Sequence, residues 1–97
     1  MFAGTKISGK KAKKLVSKGA VLIDVRDPVS FRDGSLPGAI NLSLRQIINV
    51  RAYPITTSIV IFGATSNDPT LSSALSYIEQ FGYTKLFTIG GIDEWNK

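Results

Sequence analysis

A chain of 97 residues, 43% of them hydrophobic and with a net charge of +5, can bury one core and is too short for two. It contains neither cysteine nor histidine, which excludes thiolate nucleophiles, iron–sulfur clusters, Cys/His metal sites and acid–base work by imidazole. No apolar run approaches the roughly 18 residues of a membrane span, and Met1 to Lys6 has no hydrophobic signal core, so the expectation is a single cytoplasmic domain over residues 1–97 with no membrane span.

Ala3 to Ile7 reads as a short edge strand. Ser8 then caps a helix that stops at Gly19, with Ala12, Leu15 and Val16 at inward-facing spacing. Six of the twelve cations fall here: Lys6, Lys10, Lys11, Lys13, Lys14 and Lys18. Removing those six from the net +5 leaves −1, so the basic character is local. A solvated helix face is the simpler reading, and docking to an anionic partner is the alternative. Nucleic acid is disfavoured, because no aromatic residue interleaves with the lysines to stack on bases.

Val21-Leu22-Ile23 is a strand ending at Asp24, and a short helix covers Val29 to Asp33. The Pro37-Gly38 turn leads to a strand at Ala39 to Leu42, and a second short helix covers Leu44 to Val50. Ile59-Val60-Ile61-Phe62 is a strand stopping at Gly63. Asp68-Pro69 opens an amphipathic helix to Phe81, with Leu71, Ala74, Leu75 and Ile78 on one face and Gly82 behind it. Leu86 to Ile89 is the last strand, stopping at Gly90-Gly91, where the backbone needs positive φ or close approach. Strands alternating with helices predict an α/β fold with a mostly parallel central sheet of about five strands and helices on both faces. Sites in such sheets gather beyond the carboxyl ends of the strands, which singles out the loop Gly63, Ala64, Thr65, Ser66, Asn67 and Asp68. Asp24 and Arg26 are read as a structural charge pair, and Trp95 as a hydrophobic lid.

Several of these segments together are similar to a known family. Val21-Leu22-Ile23-Asp24-Val25-Arg26-Asp27-Pro28, Phe31 and Gly34-Ser35-Leu36-Pro37-Gly38-Ala39-Ile40-Asn41-Leu42 resemble the rhodanese-like domain. Ile59 to Phe62, Gly82-Tyr83 and Gly90-Gly91-Ile92-Asp93-Glu94-Trp95 follow in the same order, so the resemblance covers nearly the whole chain. It implies the family's fold and its sulfurtransferase chemistry, in which a cysteine after the central strand carries a sulfane sulfur as a persulfide. By that resemblance the cysteine's place falls to Gly63, and no register within the loop supplies a thiol. A hydroxyl does not replace a thiolate as a sulfur carrier at neutral pH.

Two further departures point the same way. Asp68 at the helix N-terminus competes with an incoming anion for the exposed amides, and no Lys or Arg lies between Ala52 and Thr84 to compensate. Ser35 stands where many relatives have histidine. The resulting expectation is an inactive homologue without catalytic residues, cofactor or metal, serving as a binding or regulatory module for a protein or small polar ligand. A sulfurtransferase drawing a thiol from elsewhere is the alternative, and docking through the lysine-rich helix is a second.

Overall fold

The computed structural model describes residues 4–97; the Ala3 end of the expected first strand and the Met1 to Ala3 part of the leader reading lie outside them. Five strands form one sheet: β1 (Thr5–Lys6), β2 (Val21–Asp24), β3 (Ile40–Asn41), β4 (Ile59–Gly63) and β5 (Leu86–Gly91). Their spatial order is β1-β5-β4-β2-β3, with β4 at the centre and every pairing parallel. The sheet is thus wholly parallel rather than mostly so. Helices α1 (Gly9–Ser17), α2 (Pro28–Asp33) and α3 (Pro69–Gln80) and 3-10 segments at Leu44–Ala52 and Ile92–Asn96 complete the fold.

Each α-helix begins on a residue chosen for that position. Ser8 Oγ accepts the Lys11 amide at 3.1 Å, which satisfies one of the orphan N–H groups of α1. Asp-Pro does the same twice: Asp27 accepts the Ser30 amide at 2.9 Å and Asp68 accepts the Thr70 amide at 2.9 Å. In both cases proline takes a first-turn position where its missing N–H costs nothing.

Alternation along the strands splits the core into two layers. Ile23, Ile59 and Ile61 face α3, where Leu71, Ala74 and Ile78 are buried with Val50 of the first 3-10 segment. Leu22, Val60, Phe62 and Ile89 face the other way, onto Ala12 of α1 and Trp95. Trp95 is 8% exposed, so it closes the second layer as a lid, and Lys13 Nζ lies 5.4 Å from its ring centroid. Each such aliphatic or aromatic side chain, fully buried, contributes about 1.5–3 kcal/mol.

Three local expectations need correction. The segment from Leu44 is a 3-10 helix reaching Ala52, not a short α-helix ending at Val50. A period of three aligns Leu44, Ile47 and Val50 in one row, and Ile47 and Val50 are buried. The second difference is β3, which keeps only Ile40 and Asn41 because it is a sheet edge with one neighbour. The third is β5, which runs through Gly90 and Gly91 instead of stopping before them. Its register against β4 slips after the pair Ile61 and Thr88, leaving Ile89 as an extra residue in a bulge. Thr88 Oγ1 holds the bulge by donating to the Ile61 carbonyl (2.8 Å) and accepting the Gly90 amide (2.9 Å).

Candidate functional site

Two neighbouring strands end side by side, with Asp24 of β2 paired to Phe62 of β4. At the end of β2 the Asp24 carboxylate is fully buried and fully partnered. Arg26 grips it with Nε at 3.1 Å from both oxygens and Nη2 at 2.8 Å from Oδ2. The Arg26 amide (2.9 Å) and Ser35 Oγ (2.8 Å) donate to the same group. Arg26 Nη2 also donates to the Gly34 carbonyl at 2.6 Å, and Asn41 Nδ2 donates to the carbonyls of Asp24 and Arg26. A buried charge needs this degree of saturation. Asp24 and Arg26 thus form a close ion pair, and Ser35 belongs to its network.

At the end of β4 the chain enters the loop to α3. Gly63 is buried, Ala64, Thr65, Ser66 and Asn67 are exposed, and Asp68 is half-buried. The Asp68 carboxylate turns back over the loop: Oδ2 accepts the Ala64 amide at 3.2 Å while Oδ1 accepts the Thr70 amide. A Cβ on Gly63 would meet Asp68 Oδ2 at 2.8 Å and Leu71 Cβ at 3.2 Å, so a side chain there would have to displace the Asp68 carboxylate. The β5 bulge supports the loop from beneath. Gly90 has φ +86°, and a Cβ there would strike Ser66, while one on Gly91 would meet Thr65 Cα at 2.9 Å.

The six loop residues do not share one pocket. Asp68 faces a cleft of about 500 Å³, walled by Arg26, Asp27 and Ser30 on one side and Ser43, Arg45 and Thr70 on the other. Ser66 instead lines a separate cavity of about 380 Å³ with Lys6, Thr88 and Gly90. The expectation of a cation-free surrounding is overturned by the same geometry. The gap between Ala52 and Thr84 is real in sequence, yet Arg26 and Arg45 stand at the Asp68 cleft because β2 lies beside β4 and the segment after β3 packs on α3. Arg26 is committed to Asp24, whereas Arg45 is exposed and no acidic side chain pairs with it among the described residues.

Chemically the cleft offers hydroxyls, two guanidinium groups and two carboxylates. Asp27 is held below the usual aspartate range by hydrogen bonds from the amide and hydroxyl of Ser30. Nothing adjacent to Ser30, Ser43 or Thr70 is an imidazole, since the chain has none, so these hydroxyls lack the usual activating base. Among the described residues no cluster of three acidic groups is disposed to hold a metal ion. Of the amides that could cradle an anion here, Thr70's at the start of α3 and Ala64's at the start of the loop already serve Asp68.

A comparison with known proteins places this geometry. The family model for the rhodanese-like domain matches residues 8–97. The chain is 28% identical over 92 residues to thiosulfate sulfurtransferase GlpE of Pseudomonas syringae pv. syringae (strain B728a), covering 93% of this chain and 85% of that protein. It is 30% identical over 94 residues to the GlpE of Pseudomonas entomophila (strain L48), covering 93% and 83%. A crystal structure of a rhodanese-related protein from Thermoplasma volcanium superposes with a TM-score of 0.77 at 20% identity, over 95% of this chain and 90% of that one.

Proposed function

This chain belongs to the rhodanese-like family, a sulfurtransferase-type domain by its relatives, and we propose that it keeps the family's fold as a binding or regulatory module without the family's sulfur transfer. The observation that carries the reading is at Gly63. The position read as the nucleophile's bears no side chain, and the space above it is taken by the Asp68 carboxylate. The ligand of such a module would sit in the cleft shared by Asp68 and Arg45, where a small polar molecule or a partner's polar side chain meets both signs of charge and a rim of hydroxyls. The proposal keeps the cytoplasm as the compartment, to be checked by cell fractionation; no helix among the described residues is long and apolar enough to cross a membrane.

The test is a thiosulfate-to-cyanide transfer assay on the purified chain, run alone and with an added small thiol. The expected outcome is no turnover above the no-protein control in the first arm. Turnover by the chain alone overturns the proposal. Turnover in the second arm only, above a thiol-only control, favours the alternative in which the sulfur-bearing group comes from elsewhere.

A second reading rests on α1. Lys10, Lys11, Lys13 and Lys14 are exposed, and the helix has no acidic residue to offset them. Like charges three and four apart cost a few tenths of a kcal/mol per pair, which an anionic partner would relieve. Binding of this kind must weaken steeply as salt rises, and flat salt dependence removes it.

A further inference from the structure

Four large hydrophobic side chains are exposed among the described residues, and one of them, Val29 (59%), stands apart on α2. The other three, Ile48 (56%), Ile55 (58%) and Tyr77 (46%), lie along the seam where the Leu44–Ala52 segment packs on the C-terminal half of α3. Between them a groove of about 390 Å³ is lined by Leu44, Ile47, Ile48, Tyr77 and Phe81, with Arg45 at its end. Tyr77 and Phe81 are four apart, so they share the flank of α3 that faces the 3-10 segment. Ile55 continues the strip: its Cγ2 lies 3.8 Å from where a Cβ on Gly82 would be. Arg51 borders the other end, its guanidinium carbon 5.8 Å from the Phe81 ring centroid.

The rim of the groove carries one sign of charge. Neither Arg45 nor Arg51 pairs with an acidic side chain among the described residues, and the groove lining contains none. Glu79 of α3 lines a different cavity, with Tyr83 and Thr84. Aromatic residues, isoleucine and arginine around an apolar floor are the composition of an interface core rather than of ordinary solvated surface. A second copy of the chain is a poor occupant. Two-fold pairing would set the same patch against itself, bringing four arginines together with no carboxylate between them.

We propose that this groove docks a segment of another protein whose apolar side chains are flanked by carboxylates: the apolar groups fill the floor between Ile48, Tyr77 and Phe81, and the carboxylates meet Arg45 and Arg51. Leu44 and Arg45 also line the Asp68 cleft, so a segment seated in the groove would reach that cleft's edge. The proposal stands on the groove alone, whether or not the cleft takes a ligand.

The experiment selects a displayed library of random peptides against the full chain, then maps one enriched peptide by amide chemical shifts. The expected result is a consensus of aromatic or aliphatic anchors next to Asp or Glu, with shifts confined to the Leu44–Ala52 segment and the end of α3. Ile48→Ser and Arg45→Glu, both at exposed positions, should each weaken that peptide by roughly tenfold or more. No enrichment, a basic or neutral consensus, or affinity unmoved by both substitutions overturns the proposal. So does a concentration-dependent dimer in sedimentation that Ile48→Ser dissolves, since the occupant would then be a second copy. None of these outcomes depends on the sulfur-transfer assay, so the two readings fail separately.

Discussion

The ends of β2 and β4 lie next to each other and each carries an aspartate, yet the two carboxylates have opposite employment. Asp24 is fully buried and held by a guanidinium, an amide and a hydroxyl. Asp68 is half-buried and spends both oxygens on backbone amides of its own loop and helix. A position at the carboxyl edge of a parallel sheet therefore does not make a reactive site by itself. Chemistry needs an uncommitted group there, and at both strand ends the ionisable groups are already partnered. Arg45, reaching in from the segment after β3, is the exception.

Breaking the Asp24 network should have the largest effect. Arg26→Ala leaves a fully buried carboxylate with only an amide and a hydroxyl, which costs about 3–5 kcal/mol. For a domain of this size that is a fall in Tm of at least about 12 °C, measurable by calorimetry. The Asp68 side is smaller and is best read as a cycle. Gly63→Ala should destabilise by about 1–3 kcal/mol, because its Cβ runs into Asp68 Oδ2. Asp68→Ala alone should cost about 0.5–2 kcal/mol as a lost cap. The double variant should be more stable than the sum of the two, with coupling of about 0.5 kcal/mol or more in urea unfolding. Strict additivity would mean that Asp68 does not fill the space above Gly63.

The pH response of Asp27 is the smallest and the most local. Its folded value lies below the ordinary aspartate value of about 3.9 because Ser30 donates twice to the ionised form. The cap's contribution is therefore complete above the ordinary value and is lost as pH falls through the lowered folded one. The Ser30 amide should titrate with a midpoint below that of an unstructured aspartate peptide, and Ser30→Ala should move the midpoint up.

Much of this was legible along the chain because its chemistry is local. Ser8, Asp27 and Asp68 announce helix starts within three residues of what they bond, and Asp24 to Arg26 spans a single turn. Gly90-Gly91 signalled a backbone constraint, though not that β5 continues through it as a bulge under the loop. What escaped reading is non-local. Arg45 meets the Asp68 cleft only because the segment after β3 packs on α3, and the loop's division between two cavities follows from the bulge. The 3-10 segment escaped for a different reason. Leu44, Ile47 and Val50 fit a row of period three as well as a helical one over so few residues, and burial against α3 chose the tighter form.

The most direct test of the central claim is the intact mass of the purified chain after incubation with excess thiosulfate under non-reducing conditions. The account predicts an unchanged mass, because no side chain at Gly63 or in the loop after it can hold a sulfane sulfur. A gain of one sulfur atom per chain that is discharged by cyanide would contradict it.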